Sequence, residues 1–162
     1  MRSRAVIALG ANQGEAVETL RRVVSELRTD PHMVLRGSSP VVQTVALTLH
    51  GYDPSAPRYT NQVVVIDTDL DAPALLRSLQ RLEAAHGRVR RERWGDRTLD
   101  LDLIDMTGVR MRTPWLTVPH PRAASRPFVL GPWLRADPRA RLDGVPVSAL
   151  LARAQATGGA IG

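Results

Sequence analysis

Asp100 and Asp102 stand one residue apart in an apolar stretch, LDLDL, directly after an arginine-rich segment, GRVRRERWGDR (87–97). In an extended strand residues i and i+2 share a face, so the two carboxylates point one way, about 7 Å apart, while Leu99, Leu101 and Leu103 point the other. Neighbouring carboxylates repel unless a cation lies between them. Mg²⁺ takes oxygen ligands from one or two carboxylates and completes its shell with water and substrate phosphates. Arg88, Arg90, Arg91, Arg93 and Arg97, set against only Glu92 and Asp96, offer guanidinium forks that match phosphate oxygens. Each half alone has a plain reading, as a half-exposed strand or a solvated basic face. Their adjacency, with Trp94 and Gly95 between them, points to phosphate and metal chemistry.

Composition narrows the chemistry further. The chain has no cysteine, which removes disulfides, thiolate metal sites and cysteine nucleophiles. All 22 basic side chains are arginine, so no lysine is present to act as a phosphate-loop residue, Schiff base or general base. Any nucleotide must be held by arginine, metal and backbone. A formal net charge of +6 suits polyanionic ligands without saying whether they are nucleotides or nucleic acids. The apolar run after Arg4 is too short for a signal peptide, and no stretch approaches a membrane span, so the expectation is a soluble, cytoplasmic protein. Aromatics are scarce, which makes Tyr59, Phe128 and the three tryptophans informative.

The elements that must position these residues follow from periodicity. Arg4 to Leu9 reads as a buried strand closed by a turn-rich loop, Gly10 to Gly14. From Glu15 to Arg28, Val17, Leu20, Val23, Val24 and Leu27 recur at helical spacing, and Asp30-Pro31 ends the helix. Met33 to Thr44 is a second strand, interrupted by Gly37 and Pro40 and therefore expected at an edge. A loop from Val45 to Arg58 precedes a third, valine-rich strand, Tyr59 to Thr68. Asp71 is the expected N-cap, and Pro73 a first-turn residue, of a helix running through His86 to Gly87. Its core stripe is Leu75, Leu79 and Leu82; Leu76, Gln80 and Glu83 form the adjoining stripe. Leu99 to Met106 is the fourth strand.

Strand, helix, strand, strand, helix, strand is the order of the ferredoxin-like α+β fold, an antiparallel sheet with helices over one face and the other face available to ligand. A hairpin from Gly108 to Arg112 and short helices at Phe128 to Trp133 and Val147 to Ala154 are expected to follow. Residues 1–155 read as one domain, and 156–162 as a frayed tail.

These residues resemble one family closely, the 6-hydroxymethyl-7,8-dihydropterin pyrophosphokinases of folate biosynthesis. The resemblance rests on GRVRRERWGDRTLDLDLI, on LTVPHPRAASRPF downstream, on Tyr59-Thr60-Asn61, and on the opening VIALGANQG, in the family's order across nearly the whole chain. It implies transfer of the pyrophosphoryl group of ATP to the hydroxymethyl group of the pterin, with AMP released. Asp100 and Asp102 match the family's ligands for two Mg²⁺ ions, and Arg88 and Arg97 its catalytic arginines. Gln80, Glu83, Arg88, Trp94, Arg97, Leu103, Thr117, His120 and Arg126 match positions around ATP. Thr44, Leu47, Tyr59, Asn61, Trp94, Asp100 and Phe128 match positions around the pterin, with Tyr59 and Phe128 as the sandwiching rings. His120, between two prolines, is read as phosphate-binding or loop-shaping rather than as a general base.

The chain departs from the family pattern at Val45-Ala46, where two prolines are common, at Asp96 for a proline, and at Trp115 for an arginine. The implied partners are the two small-molecule substrates of a monomer, with no nucleic acid and no membrane.

Two other classes fit the same elements. A ferredoxin-like sheet with positive charge also describes RNA-binding modules, but these stack bases on aromatics of the central strands, and the first and third strands carry none beyond Tyr59. A regulatory domain could bind nucleotide on the same surface without turnover.

Overall fold

The computed structural model describes residues 2–12, 15–44, 47–48, 51–52, 59–86 and 99–157. Strand β1 (Ser3–Asn12) is followed by helix α1 (Ala16–Thr29), strands β2 (Met33–Ser38), β3 (Val42–Thr44), β4 (Leu47–Thr48), β5 (Gly51–Tyr52) and β6 (Tyr59–Thr68), helix α2 (Ala72–His86) and strand β7 (Asp100–Met106). Strands β8 (Met111–Arg112) and β9 (Thr117–Val118), helix α3 (Pro127–Ala136), strands β10 (Arg141–Leu142) and β11 (Val145–Pro146) and helix α4 (Val147–Ala156) complete the order. The main sheet runs β2-β6-β1-β7, with β3 also on β6 and its pairings antiparallel. This is the strand order of a ferredoxin-like fold. Among the described residues no helix is long and apolar enough to cross a membrane.

Side-chain alternation divides the core in two. On one face, Ala5, Ile7, Leu9 and Ala11 of β1 and Leu99, Leu101 and Leu103 pack with Leu20, Val23 and Leu27 of α1 and Leu75 and Leu79 of α2. The expected N-cap of α2 is present: the Asp71 carboxylate accepts a bond from the Ala74 amide at 2.9 Å. On the other face, Val6, Val63, Val65 and Ile104 pack with Val129, Leu130 and Trp133 of α3 and Val147 and Leu150 of α4. The second face, expected to be open to ligand, is therefore partly covered. The C-terminal helices cover its middle, because α3 carries enough apolar surface to bury those valines.

Three local expectations change. β1 continues through Gly10 and Ala11 to Asn12, since β6 pairs with it to Tyr59. The second strand divides at Ser39-Pro40, where the Ser39 hydroxyl accepts from the Val63 amide, and both pieces still pair with β6. The hairpin after β7 lies later than expected: Gly108, at φ 78°, makes a turn, and β8 pairs with β9 rather than with the sheet. A further hairpin, β10 to β11, turns at Asp143-Gly144, both at positive φ. The Asp-Gly pair is a recognised signal for that turn.

Candidate active site

The open end of the second face is built from β1, β6 and β7. Gly10 pairs with Asn61 on one side and with Asp100 on the other, and Ala8 pairs with Asp102. Alternation then sets Tyr59, Asn61, Gly10, Asn12, Asp100 and Asp102 on the face that carries Val6, Val63 and Ile104 further along. The two carboxylates thus share a face, beyond the apolar patch. Asn61 is buried, Tyr59 and Asp100 half-buried, and Asp102 exposed. The Tyr59 hydroxyl donates to Asp100 Oδ2 at 2.9 Å. Asn12 Oδ1 is buried and meets no hydrogen-bond donor among the described residues, leaving an acceptor that a ligand N–H or O–H would satisfy.

A cleft of about 280 Å³ runs beside β7, lined on one side by Leu76, Leu101, Asp102 and Leu103 and on the other by Trp115, Thr117 and His120. Its shape depends on how the chain returns to the free edge of β7. The register shifts so that Leu103 faces Ile7 and Asp105 faces Val6, leaving Ile104 as an extra residue. The Ile104 carbonyl accepts the His120 amide at 2.8 Å, which fastens the Thr117–His120 segment beside Asp102. On the opposite wall, Thr113 and Leu116 exchange bonds of 2.9 Å through the threonine hydroxyl and close a tight turn that carries Trp115, 60% exposed, at the mouth.

Helix α2 supports the same edge. Glu83 Oε2 accepts the Leu101 amide at 2.8 Å, so the carboxylate satisfies a backbone donor on the outer strand. The Leu76, Gln80 and Glu83 stripe therefore faces β7. Leu76 enters the cleft, Glu83 braces the strand, and Gln80 between them is exposed.

Burial and a backbone contact both bear on the protonation of His120. Burial lowers its pKa below the ordinary value; Asp102 opposes this, and Arg126 and Arg122 add to it. Its Nδ1 accepts the Arg122 amide at 3.2 Å. A neutral imidazole that accepts at Nδ1 carries its proton on Nε2, which suits donation to an anion rather than uptake of a proton. Arg126 lies over the Phe128 ring, 5.6 Å from the centroid, at the start of α3.

The structure thus brings Asp102, Leu103, Thr117 and His120 together in one cleft, and Tyr59, Asn61, Asp100 and Asp102 on one sheet face. Thr44 pairs with Tyr59 in the β3–β6 ladder, and Leu47 with Tyr52. Arg88, Trp94 and Arg97 lie outside the described residues. Sequence reasoning missed Gly10 and Asn12, whereas Trp115, singled out as a departure at a position where the family carries an arginine, lines the cleft. A glycine within a strand marks close approach of another group, but Gly10 read as the start of a loop, and only the pairing of β1 reveals it as a strand residue.

Magnesium fits this donor set. Among the described residues no three His, Asp or Glu side chains converge to form a closed metal site. Two carboxylates on one open face are what Mg²⁺ uses when phosphates supply the remaining oxygens.

A family model described as 7,8-dihydro-6-hydroxymethylpterin-pyrophosphokinase matches residues 6–138. The 2-amino-4-hydroxy-6-hydroxymethyldihydropteridine pyrophosphokinase of Pseudomonas aeruginosa is 37% identical over 157 residues, 94% of this chain and 92% of that protein. The Bacillus subtilis enzyme of the same name is 37% identical over 132 residues, 82% of this chain and 77% of its own length. The Synechocystis one is also 37% identical, and this chain spans 63% of its length. Among solved structures, wild-type HPPK-DHPS of Plasmodium falciparum superposes with a TM-score of 0.70 at 12% identity, covering 94% of this chain and 45% of that one. That likeness is one of fold.

Proposed function

The chain belongs to the 7,8-dihydro-6-hydroxymethylpterin-pyrophosphokinase family, the transferases that place a pyrophosphoryl group from ATP on a hydroxymethyldihydropterin in folate biosynthesis, and we propose that it carries out this transfer at the carboxylate end of its sheet. The observation that carries the reading is the shared face of Asp100 and Asp102, next to a cleft lined by Thr117 and His120.

In this reading the pterin hydroxymethyl oxygen attacks the β-phosphorus of ATP and gives its proton to solvent, while the bond from the β-phosphorus to the bridging oxygen breaks and AMP leaves with that oxygen. Phosphoryl-type transfer asks the protein mainly for alignment and charge neutralisation. Asp100 and Asp102 would hold two Mg²⁺ ions, which when bound neutralise the phosphate chain and acidify the attacking hydroxyl. Leu76, Leu101 and Leu103 give the nucleotide cleft an apolar wall, while His120 Nε2–H, Thr117 and Arg126 face the phosphates. Glu83 contributes through the edge strand it braces. Gln80 and Trp94 complete the nucleotide side. Arg88 and Arg97 stabilise charge on the transferred group and on the leaving phosphate.

The pterin lies against Tyr59 and Phe128, with the Asn61 amide supplying a donor and an acceptor to its edge and Thr44 and Leu47 nearby. Neutral His120, with its proton on Nε2, does not act as the general base.

Product analysis tests the reading. Purified protein mixed with ATP, Mg²⁺ and 6-hydroxymethyl-7,8-dihydropterin should release AMP in step with a pyrophosphorylated pterin. Release of ADP, or no turnover by folded protein, would defeat it.

A further inference from the structure

We infer that the Tyr59 hydroxyl is a positioning group for the metal-binding carboxylate Asp100, and that Gly10 is the residue that lets it reach. The inference rests on the metal-ligand reading of Asp100 above and goes beyond it to a side chain on another strand.

Tyr59 and Asp100 belong to β6 and β7, which flank β1 on opposite sides, so two strand spacings, about 10 Å, separate their backbones. Yet Tyr59 Oη donates to Asp100 Oδ2 at 2.9 Å. The ring reaches it by lying across β1 at residue 10, which pairs directly with Asp100. A Cβ at Gly10 would come 2.5 Å from Tyr59 Cε1 and 2.8 Å from Oη, distances that no side chain tolerates. The contact therefore depends on both residues, 49 positions apart in the chain.

A carboxylate that ligates a metal works best with its second interaction fixed, because a free rotor loses orientational entropy on each binding event. Partners of metal ligands commonly contribute 10–100-fold to metal affinity. The bond from the phenol orients the Asp100 carboxylate on the face it shares with Asp102. A purely structural role, tying β6 to β7, would instead appear as lost stability with unchanged metal affinity.

The test is Mn²⁺ binding, followed by electron paramagnetic resonance of the free ion in the presence of α,β-methylene-ATP, for wild type, Tyr59→Phe, Gly10→Ala and Asp100→Asn. Each is checked by circular dichroism and thermal midpoint. Tyr59→Phe, which keeps the ring, should bind Mn²⁺ about 10-fold more weakly than wild type at an unchanged midpoint. Raised Mg²⁺ should restore its turnover. Gly10→Ala, which keeps the hydroxyl but displaces the ring, should move affinity in the same direction. If Asp100→Asn loses Mn²⁺ while Tyr59→Phe or folded Gly10→Ala binds within twofold of wild type, the positioning role is overturned and the metal-ligand reading stands. If Asp100→Asn binds Mn²⁺ like wild type, the metal-ligand reading fails and the inference with it.

Discussion

The two ends of one sheet face hold carboxylates in contrasting surroundings. At one end Asp67 accepts from Arg4 Nε at 3.1 Å and from Arg36 Nε at 2.7 Å. These two guanidiniums hold its pKa below the ordinary carboxylate value against the opposing effect of burial. At the other end Asp100 accepts from the Tyr59 hydroxyl, and Asp102 is exposed beside the cleft. A carboxylate matched by two arginines of its own chain is a structural group. A pair of carboxylates that share a face beside a cleft, one of them accepting from a hydroxyl, is a donor set that Mg²⁺ takes up together with substrate phosphates.

Neutralising the two ends should separate activity from stability. Asp100→Asn or Asp102→Asn should lower turnover on the order of 10³-fold, the several kcal/mol that metal charge stabilisation supplies. Their thermal midpoints should match or exceed that of wild type. Turnover within tenfold of wild type would remove the contrast. Asp67→Asn should do the reverse, lowering stability by about 1–2 kcal/mol in neutral-pH urea unfolding while leaving kcat in place.

That stability loss should depend on pH with a definite sign. The folded pKa of Asp67 lies below its unfolded value, so its contribution is complete above the ordinary carboxylate range and fades as pH falls through the folded value. Wild type and Asp67→Asn should therefore converge in stability in strong acid.

A smaller effect concerns the cleft wall. His120→Ala should raise the KM for ATP by about 10-fold with little change in that for the pterin, because a single charge-assisted hydrogen bond to phosphate is lost. Since its pKa is lowered, any ionisation of His120 in the rate profile should fall below the ordinary imidazole value of 6.5, with no limb centred above it. A limb there that disappears in His120→Ala would contradict the assignment of its proton.

The smallest effect belongs to Asp105, whose pKa burial raises. With the folded value above the unfolded one, it favours the fold below the ordinary carboxylate range and loses that contribution as pH rises through the folded value. Asp105→Asn should stabilise the protein at neutral pH by about 0.5–1 kcal/mol, with the gain shrinking in acid. Equal effects at pH 3 and pH 7 would show that Asp105 titrates normally.

Much of this frame was legible beforehand. Tyr59–Thr68 appears with the bounds read from its valine run, α2 ends at His86, and Leu20, Val23, Val24 and Leu27 form the buried side of α1. Each follows from a period of two or 3.6 residues, which the chain displays locally. Gln80 and Glu83 looked like ordinary helix-surface residues, because a helix pattern does not reveal that a strand edge lies alongside. The extent of β1 was misjudged for a related reason: Gly10-Ala11-Asn12 has turn composition, and pairing with β6, and at Gly10 also with β7, keeps it extended.

Asp67 and Asp100 illustrate the division. Each is an aspartate in a β-rich apolar run, and adjacent residues do not distinguish their roles. By itself the sequence determined that Asp100 and Asp102 share a face, since alternation along a strand is a property of the backbone. That Asp67 meets Arg4 and Arg36, and that Asp100 meets the Tyr59 phenol, was decided by the tertiary structure. Arg4 reaches Asp67 from 63 residues away, Arg36 from 31, and Tyr59 reaches Asp100 from 41. The physical reason is that strand order and register set those encounters, and both depend on burying the sheet's two apolar faces at once.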